Sequence, residues 1–435
     1  MGVAQMKKFD LLRVYKTGLT AVMSVILSFG SILNATAQDP TTITFAYWGA
    51  QGQQAEMKER WEYFLEPFRA ANPDIRVETL DWTSEGYNAK LKTTLAAGVP
   101  PDVFTAPLDE VRSYMYSDFM LDLSPYVSAD KIQSRPDLKE YMYEHLISPN
   151  GEFFGPIGSA SSPMPTANTI YFNTSLFEES GLPNAYQLYL QDQWTWDRFL
   201  ESAKKLTLQA PNGSIQRFGT DTWLSRAALW TNGVTEYDSH VAPTETYYNT
   251  PDAIEGIQFL ADLGLVHGVA PYPGGPSLGM DKTTAFASER SAMITAWTGT
   301  AAALELLNLP FAWEVVPYPK NRGEYAVDLG GLHGFVVARE SPNREAAIRL
   351  VTYLGSQEFL QRQAEFARDD IFRDRYIQFV ANHGFLRLLA KDRVDMDRTV
   401  NEELRRVWSG QVPAGTAALA IEQRITTFLS GNPQP

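Results

Sequence analysis

The chain of 435 residues contains no cysteine. That absence excludes disulfides, thiolate metal sites, cysteine nucleophiles and CxxC redox chemistry together. Histidine is scarce. His145, His240, His267, His333 and His383 show no i,i+4 pairing and no His-Glu-x-x-His run, so each is read as structural and no metal site is expected. Positive charge is in deficit, with 37 Lys+Arg against 51 Asp+Glu and a formal net charge of -14. A nucleic-acid partner is therefore not expected, because phosphate binding wants a basic patch. The sequence also lacks a glycine-rich phosphate loop, a fixed-period repeat and a low-complexity tract, and no cofactor is expected.

What is present suits a globular protein: 44% hydrophobic and 20% charged residues, in a length that suggests two or three domains. Residues 1–37 read as a cleaved export signal. Lys7, Lys8, Arg13 and Lys16 form a basic head, Val22 to Phe29 an apolar centre, and Ala35-Thr36-Ala37 a cleavage site. Ser24, Ser28, Gly30 and Ser31 dilute the apolar stretch, against a permanent anchor. With no cysteine there is no lipid attachment, so the expected location is a periplasm.

Beyond the signal, strand and helix patterns alternate. Thr42 to Trp48 is a β-branched and aromatic run halted at Gly49. Met57, Trp61, Phe64, Leu65 and Phe68 recur at helical spacing until Asn72-Pro73. Ile75, Val77 and Thr79 alternate as in a strand, Tyr87, Leu91 and Leu95 resume the helical period, and Val103-Phe104 opens another strand. This order predicts a mostly parallel, helix-covered α/β sheet, with Trp48-Gly49, Asp81-Trp82 and Thr105 to Asp109 crowding one edge. Further on, Thr195 is expected to cap a helix with Asp197 in its first turn, and Ser341-Pro342 to start another over Ala347, Leu350, Val351 and Leu354.

Two motifs fail on context. Gly275-Pro276-Ser277-Leu278-Gly279 has the spacing of a nucleophile elbow, but Pro271, Pro273 and Gly274 stand where its strand must be, so it reads as a surface loop. The acidic stretch Asp392 to Glu403 lacks the glycine and the final glutamate of a calcium loop and reads as a solvated helix face. The adjacent carboxylates Glu178-Glu179, Asp369-Asp370 and Glu402-Glu403 do not face each other on a helix.

The tryptophans carry more. Trp61 and Trp196 fall in apolar stripes and read as core. Trp48, Trp82, Trp223, Trp230 and Trp297 sit beside polar or turn residues. A sugar ring offers flat C–H faces edged by hydroxyls, which an indole face with polar neighbours complements.

Taken in order, TITFAYWG (42–49), FRAANPDIRVE (68–78), YNAKLKTTLAAGVPPDVF (87–104) and LDLSPYV (121–127) form the first half of a recognisable series. NGEFFGPIGS (150–159), IYFNTSLFEESGLP (170–183), TWDRFLESAKKLT (195–207), FASERSAMITAW (286–297), VVPYP (315–319) and GGLHGFVVARESPNREAAIRLVTYL (330–354) complete it. The chain in this respect resembles the bacterial extracellular solute-binding proteins of family 1, the sugar-binding subunits of ABC importers. The resemblance implies an α/β fold of two interleaved lobes joined by crossing segments. The first lobe would hold 38–158 with 332–375 returning to it, and the second 159–331 with 376–435. It implies sugar contacts from Trp48 and Gly49, from the loop Thr105 to Asp109, from Trp297, and from Gly330, Gly331 and Leu332. Trp82 lies at the same predicted sheet edge, and Trp223 and Trp230 fall where second-lobe aromatics often lie. The loop after Phe104 departs from the family pattern, so either Thr105 or Asp109 is its polar anchor. The implied protein is a monomer without catalytic residues that hands a carbohydrate to a membrane permease. A secreted glycoside hydrolase would need a carboxylate pair across a cleft. A binder of polyol phosphates would need a free cation, for which Arg226 is the candidate.

Overall fold

The computed structural model describes residues 39–49, 54–108, 110–128, 146–148, 150–159, 166–223, 225–239, 243–330, 332–366, 372–385 and 393–431. The export-signal reading of residues 1–37 lies outside them. The described strands are β1 (Thr41–Gly49), β2 (Ile75–Thr83), β3 (Val103–Pro107), β4 (Ile157–Ser159), β5 (Thr166–Asn173) and the short pair β6 (Leu208–Gln209) and β7 (Ile215–Arg217). They continue as β8 (Met293–Trp297), β9 (Trp313–Val316), β10 (Val327–Gly330), β11 (Leu332–Val337) and β12 (Gly384–Phe385).

Two five-stranded sheets result. The first runs β2-β1-β3-β11-β4. Its β2-β1-β3 part is parallel, as the β-α-β-α-β order requires, with helices Gln54–Ala71 and Ser84–Ala96 as crossovers. The two remaining positions are filled antiparallel by β11 and β4. The second sheet runs β12-β10-β5-β8, with β9 also paired to β5.

The chain passes between the sheets from Ser159 to Thr166 and again from Gly330 to Leu332. A third passage leads from helix Gln357–Phe366, packed on helix Gln54–Ala71, to helix Arg373–His383, packed on β10 and β12.

Side-chain alternation sorts the core into layers. Ile43, Phe45 and Tyr47 of β1 pack with Trp61, Phe64 and Phe359 on the outer face of the first sheet. Ala46, Phe104 and Val336 point the other way, into a cluster that also holds Tyr171, Ile294 and Val315 of the second sheet and Tyr376 and Phe379 of helix Arg373–His383. A third cluster covers the far face of the second sheet. Trp61 and Trp196 are buried, in line with their helical stripes.

Thr195 caps helix Trp196–Leu206 by accepting a bond from Arg198 N. The Ser341-Pro342 start does not occur. That helix begins at Arg344, because the Ser341 hydroxyl donates to Asp102 Oδ1 at 2.6 Å and accepts from Asn343 N at 3.1 Å. Residues Gly275 to Gly279 form a loop, as read from sequence. Of the acidic stretch, Asp392 lies outside the described residues and the rest is on helix Arg393–Trp408, where Glu402 is exposed but Glu403 is buried against Arg406 and Arg424, so the face is not wholly solvated. Among the described residues no group of His, Asp and Glu has the arrangement to hold a metal ion.

Asp102 ties three distant segments. Its carboxylate accepts from Thr44 N at 2.8 Å and Thr44 Oγ1 at 2.9 Å, as well as from Ser341 Oγ and, at 3.2 Å, Asn343 Nδ2. Replacing it with alanine strands these donors. Asp102→Ala is expected to cost about 3 kcal/mol, since orphaned buried donors carry their full desolvation penalty. Asp102→Asn, which keeps one acceptor oxygen, should lose less. Urea denaturation of the two variants compares them.

Candidate functional site

Parallel β1 and β2 end in register, with Trp48 opposite Trp82 and Gly49 opposite Thr83. β3 ends at the same edge with Pro107 opposite His333, and β11 starts there with Leu332 opposite Ser159. In the second sheet Thr166 pairs with Gly330, while Asn168 lies between Trp297 and Asp328. Both passages, 159 to 166 outward and 330 to 332 on return, therefore join the same end of the first sheet to the same end of the second. Leu332, Gly330 and Trp297 lie at that junction, while Trp48 and Trp82 end β1 and β2 at the same end of the first sheet, further along it. The loop after each strand C-terminus is where open α/β sheets bind ligands.

Trp297 is fixed from several sides. Its indole lies against Gly330 so closely that a Cβ there would fall 2.6 Å from Cη2 and 2.7 Å from Cζ3. No residue other than glycine fits at 330 with the ring in this place. Tyr171 Oη donates to the Trp297 carbonyl at 2.9 Å, and Thr298 N donates to Ala167 O at 2.9 Å.

Trp82 is half-buried beside Tyr87, with the Lys90 ammonium 4.4 Å above its ring. Trp230 is half-buried too. It stacks on Phe385 at 4.4 Å, and its Nε1 donates to Glu236 Oε2 at 2.8 Å. Leu332 is buried, and its carbonyl accepts from Leu108 N.

The other sequence candidates stand elsewhere. Trp223 is 3% exposed and lies within the second-sheet core, edge-on to Phe199 at 4.7 Å and to Tyr318 at 5.3 Å. The preceding residues explain its inward turn: Thr220 N and Asp221 N donate to Val269 O and Met293 O. Thr105 is fully buried, and its hydroxyl donates to Tyr87 Oη, which itself bonds the carbonyls of Ala46 and Thr105. Its side chain secures the ends of β1 and β3. Asp109 and Gly331 lie outside the described residues, and nothing is described of the Trp48 and Gly49 side chains.

Several polar groups near the site carried no sequence signal. Directly opposed residues of antiparallel strands share a face, so Trp297, Asn168 and Asp328 form one row across β8, β5 and β10. Asn168 Oδ1 accepts from Tyr318 Oη at 2.6 Å. Asp328, fully buried, is 3.3 Å from Arg226 Nε. Arg226 is thus already paired with a carboxylate, which removes the free cation that an anionic ligand would need.

One row further in, Asp221 accepts from Thr295 N at 2.8 Å and Thr295 Oγ1 at 3.0 Å, with Lys282 Nζ at 3.5 Å. Burial pushes the Asp221 carboxyl up to about 6, against the pull of Lys282 and Thr295. Burial likewise raises Glu236, opposed by Arg226 and Trp230.

The sequence from residue 51 to 359 matches the family model of the bacterial extracellular solute-binding proteins. This chain belongs to that family. No curated protein sequence matches it significantly. Solved structures of similar fold include an ABC substrate-binding protein of Listeria monocytogenes in complex with cycloalternan, at TM-score 0.70 and 22% identity, covering 90% of this chain and 100% of that one. A solute-binding protein of Thermotoga lettingae bound to α-D-tagatose aligns at TM-score 0.68 and 19% identity, over 89% and 100%. The cyclic α-maltosyl-1,6-maltose binding protein of Arthrobacter globiformis aligns at 0.69 and 16%, over 90% and 100%. These likenesses fix the solute-binding fold as two-lobed α/β. No described helix is long and apolar enough to cross a membrane.

Because the Asp221 carboxyl is raised in the folded state, its ionisation opposes folding. Its contribution to stability is fully present below its ordinary value of 3.8 and is lost as pH rises from there through about 6. Asp221→Asn is expected to flatten the stability profile between pH 4 and 6, by an amount on the order of 3 kcal/mol. Chemical denaturation at several pH values measures it.

Proposed function

We propose that this solute-binding protein captures a carbohydrate at the sheet junction and delivers it to an ABC permease. The observation that carries the reading is Trp297: an indole anchored on Gly330 at the point where both connecting passages meet. An aromatic face held rigidly beside polar side chains suits the C–H face of a sugar. The family assignment supports solute capture, and the carbohydrates bound by the proteins of similar fold support the ligand class.

In this reading the first lobe comprises the described part of 38–158 with the return of 332–375, and the second comprises 159–331 with 376–435. Trp48, Gly49, Trp82 and Asp109 contact the sugar from the first lobe. Trp297 and Trp230 contact it from the second, and Gly330, Gly331 and Leu332 from the passage between them. The protein acts in the periplasm as a monomer after export and binds without chemical change. Ligand contacts made by both lobes at once favour a closed form, so binding shifts a population about the connecting passages.

A thermal-shift screen of residues 38–435 against mono-, di- and oligosaccharides, polyols and polyol phosphates tests the reading. A ligand at 100 times its dissociation constant adds about 2.7 kcal/mol to stability. An intact carbohydrate hit supports it, whereas a hydrolysed hit or a polyol phosphate hit overturns it. Trp297→Ala should weaken binding of the hit by more than about 1 kcal/mol, measured calorimetrically.

A further inference from the structure

We infer that Tyr376 is a positioning residue for ligand binding, acting on Trp297 through the hydroxyl of Tyr171. The inference rests on the proposed role of Trp297.

Tyr171 lies on β5 and Tyr376 on helix Arg373–His383, and both are fully buried. Their hydroxyl oxygens are 2.6 Å apart, and Tyr171 Oη is 2.9 Å from the Trp297 carbonyl. A phenol has one proton to give. Tyr171 gives its proton to the Trp297 carbonyl, so in the pair with Tyr376 it must accept, and Tyr376 must donate. The direction is fixed: Tyr376 to Tyr171 to Trp297. A hydrogen bond accepted by a hydroxyl polarises the one it donates, so the two bonds strengthen each other in a dry interior.

The relay lies on the opposite face of the sheet from the Trp297 indole. Tyr171 pairs with Ile294 and Val315, and points into the cluster shared by both sheets. Asn168, one register row from the sheet end, shares its face with Trp297 instead. The indole is therefore held by Gly330 on its own side and its backbone by the tyrosine pair on the other.

Tyr376 stands on the element that receives the third passage between the sheets. Its neighbours reinforce the link: Tyr171 stacks on Trp313 at 5.7 Å, and Trp313 packs on Phe372 at 5.0 Å, at the head of the same helix. A shift of helix Arg373–His383 relative to β5 stretches the relay and releases the Trp297 peptide. The Trp297 peptide and helix Arg373–His383 are thus joined by one pair of hydroxyls, which gives helix position a direct effect on the ring.

Tyr376→Phe removes the donating hydroxyl and leaves the ring. With the intact carbohydrate hit from the screen, affinity is expected to fall about five- to tenfold in the otherwise native protein. In the Trp297→Ala background the same change should have no further effect, because the ring it positions is gone. An equal fold-loss in both backgrounds would mean a role independent of Trp297 and would overturn the inference, as would an unchanged affinity in the single variant.

The ligand-free protein supplies a second readout. Amide exchange in the peptide carrying Trp297 and Thr298 should quicken at least tenfold in Tyr376→Phe, with β1 and β2 unaffected. Unchanged exchange there, or a uniform acceleration across the chain, overturns the relay whether or not a ligand has been found. Failure of the native protein to bind any carbohydrate, with the local exchange effect present, would count against the functional reading alone.

Discussion

The structure depends on one act of strand insertion. β11, all six of its residues buried, enters the first sheet antiparallel between β3 and β4. Without it β3 has no partner on that side and β4 has none at all. The insertion also forces the chain to come back from the second sheet at Gly330, beside the place where it first left at Ser159. Two passages are thereby pinned to one end of the sheet, the end at which β1 and β2 also finish in Trp48 and Trp82. Asp102 secures the same return, reaching from the start of β3 to Ser341 just beyond β11.

The Trp297 ring is held within the second sheet, by a glycine of that sheet's own strand β10. Gly330 ends β10 and lies under the Trp297 ring, so the hinge-like passage and the ring share a surface. The charged groups nearby are mostly spent on the scaffold: Arg226 on Asp328, Glu236 on Trp230, Lys282 on Asp221. On the proposed reading, aromatic faces and uncharged polar groups would then do the recognising, which suits an uncharged polyhydroxylated solute. The buried Arg226–Asp328 pair is also no sure source of net stability, because desolvation of both charges offsets their attraction.

Local signals in the sequence were legible where a side chain's role is set by its own element. The stripe Trp61, Phe64 and Phe68 located a helix, Thr195 its own cap, and the Trp48-Gly49 stop a strand end that faces Trp82. Roles set across elements were not. Trp223 has polar neighbours in sequence yet lies in the core, because its preceding backbone is tied to Val269 and Met293. Ser341 has the look of a cap, but Asp102, 239 positions away, takes its hydroxyl. Thr105 offered a polar anchor until Tyr87 claimed its proton. Asn168 and Asp328 acquire their relation to Trp297 only through strand register, which no local pattern in β5 or β10 encodes.

The position of β11 also bears on how the molecule is made. Synthesis proceeds from the N-terminus, and β1, β2 and β3 are complete by residue 107, whereas the strand that closes their sheet ends at residue 337. Until β11 is made, β3 lacks the strand that pairs with it on that side. Non-local pairings of this span are slow to form. Closure of the first sheet therefore waits until residue 337 has been made, an order of assembly built into the sequence of its strands.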